Sequence, residues 1–561
     1  MTVVTRPLRR VLVANRGEIA LRIIRACREM GLESVAVYSD ADLHARHVRA
    51  ADMAVRLGPP PATESYLRAD AVLEAARRSG ADAIHPGYGF LSERAPFAAA
   101  CEAAGITFVG PASETLAGLG DKLAARRAAR EVGVPIVPGT LEPAPVSSLE
   151  SAASVLDVAE GVGWPLMVKA SAGGGGRGMR RVDRPEDLAA ALVAASREAE
   201  AAFGDGAVYL ERYVEGARHV EVQLLGDVHG TIVALGERDC SVQRRHQKLV
   251  EEAPAPGLGE DARRRLHGLG VAVARAFGLR NAATAEFLLA PDGSTWFLEV
   301  NTRLQVEHGV TELVAGVDIV HEQLRIAEGR PLSSEVREAA ARAASPRAHA
   351  IEVRVSAEDP ANSFLPTSGT ISRWREPGGP GVRVDAGVGE GDTVATHYDP
   401  LLAKLLVVAT DRPAALARLR RALGEFEIGG IQTTMPFHGW LAADPAFAEA
   451  RLSTSFVAER WDPRPLRGEA AQRAARAAAA WAMAGTARSG ALAEPGSPRA
   501  GRPSDDGTSA RWAALAAGSA AAGSGSLSGA ATGRGDGGEG PAAAMSWRQA
   551  GRRDATRPWG R

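Results

Sequence analysis

The chain has 561 residues, 45% hydrophobic and 24% charged, with 66 Lys plus Arg against 67 Asp plus Glu and a net charge of −1. That length exceeds one core and sets an expectation of roughly two to four domains; the balanced charge argues against a nucleic-acid partner. No apolar run reaches membrane-span length and Val11-Leu-Val-Ala14 is too short for a signal segment, so no membrane association is expected, and Cys27, Cys101 and Cys240 form no CxxC or disulfide framework, which fits a reducing cytoplasm.

Residues 10–14 (Arg-Val-Leu-Val-Ala) read as a short buried strand. Asn15-Arg-Gly-Glu18 turns into a helix with apolar Ile19, Leu21, Ile23 and Ile24 that ends near Gly31, and Ser34-Val-Ala-Val-Tyr38 is a second strand. The chain therefore opens as a Rossmann-like βαβ unit, although without GxGxxG a dinucleotide site is weakly supported. Residues 82–86 and 106–109 are further strands. Between them Gly87-Tyr-Gly-Phe-Leu-Ser-Glu93 is a glycine-punctuated loop at a strand's C-terminal end, where α/β sheets place ligands.

The pattern changes near Asp121. A helix from Lys122 to Glu131 precedes a strand over 165–169, a glycine run at 173–176, and a helix over about 185–203. Strands are expected at 208–214, 219–225 and 231–235, a helix at 260–277, and helical stretches to about Gly329. Strands resume at 350–355, 369–374, 382–385 and 403–408, with a helix over roughly 413–425, so this third region reads as α+β. Residues 485–561 are Ala, Gly, Ser, Pro and Arg with almost no Val, Ile or Phe; such a segment cannot bury enough apolar surface to fold, and disorder is expected. The expected units are 1–120, 121–330, 347–462 and a tail, 463–561.

The chemistry concentrates in Trp296-Phe-Leu-Glu-Val-Asn-Thr-Arg-Leu-Gln-Val-Glu-His308. Glu299, Asn301, Arg303, Gln305 and Glu307 share parity, with Phe297 the apolar exception. In an extended chain one face would then carry two carboxylates, two amides and a guanidinium. Glu286 lies upstream across the turn Pro291-Asp-Gly293, and a hairpin would bring it to Glu299. Two carboxylates and an amide oxygen suit Mg²⁺, commonly shared with substrate phosphates. The glycine run follows a strand ending in Lys169 and fits a phosphate lid, though it is no Walker A loop. Gln243-Arg-Arg-His-Gln-Lys248 fits anion handling near a metal, with the acidic pair Glu251-Glu252 just beyond. Only four lysines occur, Lys122, Lys169, Lys248 and Lys404, among 66 basic residues. Each is a candidate for a place needing a compact point charge and not a planar fork, and three of them fall in these motifs.

These motifs, together with Asn15-Arg-Gly-Glu-Ile-Ala, His85-Pro-Gly-Tyr-Gly-Phe-Leu-Ser-Glu and Ala357-Glu-Asp-Pro, strongly resemble biotin carboxylase, an ATP-grasp enzyme, over about residues 8–462. The resemblance implies an N-terminal biotin carboxylase domain, a central ATP-grasp domain and a C-terminal α+β biotin carboxylase domain. It implies that Lys122 and Lys169 hold ATP phosphates under a lid containing Gly175 and Gly176. Glu211, Arg212, Tyr213 and Val214 would form the hinge at the adenine, while His219, Gln243, His246 and Leu288 would line the nucleotide. Glu286, Glu299 and Asn301 would hold Mg²⁺ or Mn²⁺. Lys248, Arg303 and Val306 would hold bicarbonate, with Glu307 as general base, and Arg354 would reach across a domain junction to the biotin ureido oxygen.

Four positions depart from the family pattern: Arg212 for the usual Lys, Ala172 for Gly, Gly309 for Pro and Thr434 for Asn. Gly309 is expected to loosen the turn after His308. The tail holds no Ala-Met-Lys-Met and no Lys, so the biotin is expected on a separate carrier protein or domain, unless the chain is a truncated carboxylase. The resemblance further implies a carboxyltransferase partner, a homodimer, and the first half-reaction of an acyl-CoA carboxylase such as acetyl- or propionyl-CoA carboxylase in fatty-acid metabolism. A pyruvate- or urea-carboxylase part and a catalytically silent nucleotide-binding scaffold are the alternatives.

Overall fold

Five parallel strands build the N-terminal sheet: β1 (Arg10–Val13), β2 (Glu33–Ser39), β3 (Met53–Gly58), β4 (Ala83–His85) and β5 (Thr107–Phe108), in the order β3-β2-β1-β4-β5. Val11, Leu12 and Val13 are fully buried, as a strand covered on both faces requires. Helix Gly17–Glu29 packs on them through Ile19, Ile23 and Ile24. β3 escapes sequence reading because it is an edge strand with Met53, Ala54 and Arg56 exposed. The strand order reverses at β1, and just beyond its end Asn15 Nδ2 donates to the carbonyls of Pro86 and Tyr88, both at 2.7 Å. The glycine loop is thereby fixed at the crevice where such sheets bind ligands.

The computed structural model describes residues 5–146, 155–171 and 178–480, apart from 469, 470, 473, 474 and 477. The chain divides into units 1–478 and 479–561, and nearly all described residues lie in the first. The glycine run with Gly175 and Gly176, and the segment 485–561, fall outside the described residues. Among the described residues no helix is long and apolar enough to cross a membrane.

The central region has two layers of strands. β6 (Leu166–Ala170), β7 (Arg180–Val182) and β8 (Val208–Arg212) form a small sheet in the order β7-β6-β8, covered by helix Leu188–Phe203. β9 (Arg218–Gly226), β10 (Ile232–Arg244), β11 (Gln247–Ala253), β12 (Asn281–Leu289), β13 (Thr295–Asn301) and β14 (His349–Ser356) belong to one antiparallel sheet with strands Val382–Ala386 and Leu401–Ala409. Its order is β13-β12-β9-β10-β11-β14, then 401–409, then 382–386.

Three expectations are corrected here. The strand expected at 231–235 runs on to Arg244, because the basic segment is itself a hairpin; its exposed turn falls at Arg245 and His246, with φ of 49° and 65°. The buried polar residues Glu237, Arg238, Asp239, Ser241 and Gln243 hide the strand from a hydrophobicity pattern. The expected strand over 369–374 is two short strands, Gly369–Thr370 and Arg373–Arg375, in different small sheets. The third region's main strands continue the central sheet: β14 pairs with β11, Glu352 opposite Glu251. Ile351, Val353, Leu405 and Val407 cover that sheet's far face against helices Arg412–Glu425 and Met435–Ala443.

Candidate active site

The hairpin β12/β13 forms as the sequence implied, with Glu286 directly opposite Glu299 and Thr284 opposite Asn301. The register shifts between Glu286 and Phe287, whose partner is Phe297, so Leu298 is an extra residue on β13. A bulge of this kind switches the faces on which side chains emerge. That accounts for Phe297: it is fully buried in the core, 5.9 Å from the Phe287 ring, whereas Leu298 and Glu299 both line the cavity.

The shared-parity reading fails beyond Asn301, where the strand ends. Arg303, Gln305 and Val306 lie on an irregular segment, and Glu307 stands at the N-cap of helix His308–Ala315. They reach the same cavity because the segment is tied down. Arg303 donates to Glu93 at 3.0 Å, Gln305 Oε1 at 2.9 Å and Asn301 Oδ1 at 3.1 Å.

The cavity measures about 890 Å³. Every proposed site residue within the described part of the chain lines it: Lys122, Lys169, Glu211, Arg212, Tyr213, Val214, His219, Gln243, His246, Lys248, Glu286, Leu288, Glu299, Asn301, Arg303, Val306, Glu307 and Arg354. Lys122 Nζ lies 2.8 Å from Glu299 Oε2, and Lys169 pairs with Glu211, which the fully buried Arg126 also holds. Met167 and Met179, which composition did not single out, supply apolar lining beside the hinge residues.

The middle of the cavity is a row of alternating charges. Lys248 Nζ donates to Glu307 at 2.6 Å and Glu286 at 3.1 Å, and also pairs with Glu221. Glu221 is fixed from behind by the fully buried Arg238, at 2.6 Å. Arg354 donates through Nε to Glu251 at 2.6 Å and through Nη2 to Glu307 at 2.8 Å. Burial raises the Glu307 carboxyl, but Lys248, Arg354 and Arg238 outweigh it and hold the group well below the ordinary carboxylate range. Burial pushes Glu251 up to about 7, against the pull of Arg354. Glu221, Arg238 and Glu251 were not singled out individually. The pair Glu251-Glu252 was, and strand parity divides it: Glu252 points away, to Arg412 at 2.7 Å and His349 at 2.7 Å.

The oxygen donors fit a divalent cation. Glu286 and Glu299 are cross-strand neighbours; Asn301 Nδ2 donates to Glu286 at 2.8 Å, and its Oδ1 accepts from Arg303 at 3.1 Å. Burial raises Glu286, while Lys248 and His219, the latter 2.9 Å away, bring it below its usual range, so it stays anionic, as a hard-oxygen ligand must.

Two departures from the family pattern acquire a structural meaning. The expected loosening at Gly309 is not found: the residue lies in the first turn of helix His308–Ala315, and a Cβ there would come within 2.5 Å of Leu406 Cδ2. Thr434 is fully buried, its Oγ1 donating to the Arg354 carbonyl at 2.8 Å and accepting from Ser356 N at 3.0 Å. Arg354 has no junction to cross, since its strand adjoins β11 directly.

A parallel N-terminal sheet, a small three-stranded sheet and a carboxylate-lined antiparallel sheet together define an ATP-grasp enzyme. Family models match in order: "Biotin carboxylase, N-terminal domain" over residues 7–116, "Carbamoyl-phosphate synthase L chain, ATP binding domain" over 121–335, and "Biotin carboxylase C-terminal domain" over 352–459. The chain belongs to the biotin carboxylase family. It is 46% identical over 450 residues to a biotin carboxylase of Nostoc sp., covering 80% of this chain and 98% of that one. It is 48% identical over 453 residues to the mitochondrial methylcrotonoyl-CoA carboxylase subunit alpha of Oryza sativa; the match takes in 80% of this chain but only 60% of the rice protein. Among solved structures, the biotin carboxylase domain dimer of Hydrogenobacter thermophilus 2-oxoglutarate carboxylase, in complex with MgADP, ADP and bicarbonate, superposes with a TM-score of 0.77 at 42% identity, covering 81% of this chain and 98% of that one.

Proposed function

We propose that this chain is an ATP-dependent ligase that carboxylates biotin with bicarbonate. The observation that carries the reading is the position of Glu307, gripped by Lys248 and Arg354, beside the Glu286–Glu299 pair in one cavity. In the free protein Glu307 is ionised but poorly basic, because two cations hold it. Bicarbonate, an anion, competes for those cations together with Arg303, and as they turn to it Glu307 regains basicity and takes the bicarbonate proton. A carbonate oxygen then attacks the γ-phosphorus of ATP, ADP leaves, and carboxyphosphate forms. Lys122 and Lys169 neutralise phosphate charge in this step, which needs positioning more than covalent help. Mg²⁺ or Mn²⁺ held by Glu286, Glu299 and Asn301 supplies further charge neutralisation on the phosphates when bound. Carboxyphosphate breaks to CO₂ and phosphate, phosphate takes the biotin N–H proton, and the nitrogen attacks CO₂. Arg354 stabilises the negative charge this places on the ureido oxygen.

The biotin is presented by a carrier protein or domain; the 157 residues given after Lys404 hold no lysine to carry it. A carboxyltransferase then passes the carboxyl group on. The relatives differ in acceptor by name, methylcrotonoyl-CoA in one and 2-oxoglutarate in another, while sharing this portion of chain. The acceptor is accordingly set outside the cavity described here; an acyl-CoA in the cytoplasm, with the enzyme as a homodimer, is the reading adopted. The test is ADP release by purified protein with ATP, Mg²⁺, bicarbonate and free biotin. Absence of any biotin-dependent ADP release overturns the proposal.

A further inference from the structure

Lys404 is the one lysine that no motif absorbed. It lies on strand Leu401–Ala409, is fully buried, and does not line the cavity. Its cross-strand partners are Arg354 on one side and Asp385 on the other. Its ammonium donates to the Val306 carbonyl at 2.8 Å and sits 3.5 Å from Glu18 and 3.7 Å from Asp385. Arg354 meanwhile donates to Glu307, the next residue along. Two adjacent strand cations thus hold two adjacent residues of the irregular segment that carries Arg303 and Glu307.

We infer that Lys404 is a positioning residue, whose ammonium fixes the Val306 carbonyl and so sets where Glu307 meets bicarbonate. The inference rests on the biotin carboxylase reading above. The target is a single carbonyl oxygen met by a fully buried side chain, which suits a compact ammonium better than a planar fork. That gives a reason for a lysine in a chain that otherwise writes arginine. The anchor draws on two further elements: Glu18 comes from the N-terminal helix and Asp385 from the edge strand, where Arg383 also holds it at 2.8 Å. A rival account is that Lys404 only neutralises these buried acids.

Two variants separate the accounts. Lys404→Met removes the donor and leaves Asp385 and Glu18 exposed to each other's charge. Lys404→Met with Asp385→Asn removes the donor and one buried negative charge together, while Arg383 keeps Glu312 as its partner at 2.7 Å. ADP release is measured against bicarbonate and against ATP, with melting temperature alongside. The double variant is expected to melt near wild type, with KM for bicarbonate raised roughly tenfold or more, the scale of one hydrogen bond to a charged group, and KM for ATP within about twofold. Recovery of both stability and bicarbonate KM in the double variant overturns the inference, as does an equal rise in both KM values. If neither variant folds, Lys404 is a fold-holding group and the inference falls. Absence of bicarbonate-dependent ADP release in the wild type would instead sink the proposed function.

Discussion

Arg354 Nη2 lies 2.8 Å from Glu307 Oε2, so the cation proposed for biotin and the base proposed for bicarbonate hold each other directly. Arg303 has no such bond to Glu307; its partners are Glu93, Gln305 and Asn301. The two arginines should therefore fail differently. Arg303→Ala is expected to depress both biotin carboxylation and bicarbonate-dependent ATP cleavage. Arg354→Ala frees Glu307 and should spare ATP cleavage more than carboxylation. Each affected step should fall roughly 10²–10³-fold, as for loss of one preorganised donor. ADP formed per carboxybiotin formed checks this; equal ratios in the two variants would merge the roles.

Glu299→Gln keeps the shape of a carboxylate proposed to hold the metal and removes its charge. Turnover should fall on the order of 10²-fold, with a higher Mg²⁺ requirement, because charge stabilisation by a bound cation is worth several kcal/mol. Lys122, 2.8 Å from Glu299 in the free protein, would also lose its partner. A Mg²⁺ titration of kcat decides the point, and a normal titration curve removes Glu299 from the ligand set.

Stability should fall as pH drops from 6.5 toward 4, in part through His438. Its Nε2–H donates to the Arg354 carbonyl at 2.7 Å, and burial lowers its pKa to about 4. Between the unfolded value near 6.5 and the folded value, the unfolded chain binds the proton and the native one does not, so each pH unit lost costs up to about 1.4 kcal/mol from this group. His438→Gln keeps a donor without titrating, and its urea-unfolding free energy should depend less steeply on pH between 6.5 and 4. An unchanged slope would mean His438 titrates normally.

Gly309→Ala should destabilise by about 1–3 kcal/mol, the usual cost of overpacking. The added Cβ meets Leu406 Cδ2, which is fully buried and has little room to move. Leu406→Val in the same chain should recover part of the loss. Denaturation midpoints of the single and double variants measure the coupling; additive effects would show that the two residues do not compete for that space.

Local patterns were enough for much of this protein. β1, helix Gly17–Glu29, helix Lys122–Glu131 and the hairpin β12/β13 were legible because short buried runs, cap residues and turn residues act within a few positions of one another. β10 is legible over less than half its length, since buried Glu237, Arg238, Asp239, Ser241 and Gln243 break the alternation that marks a strand. The same limit explains Phe297. A one-residue bulge is invisible in composition, yet it reverses the face of everything beyond it.

The sequence by itself determined which charged groups the site would contain. Cavity ligands must carry particular atoms, and those atoms are written residue by residue: Glu286, Glu299, Lys248, Arg303 and Glu307 all line one cavity. Only the tertiary structure decided how they are held. The pairing of β11 with β14 brings Glu251 to Arg354, the far strand Leu401–Ala409 brings Lys404 to Val306, and Arg238 fixes Glu221 from beneath. These partners are from 17 to 103 residues apart along the chain. Strand register sets such contacts over distances that no local pattern encodes, and in a buried, low-dielectric setting they fix the charge and place of each catalytic group.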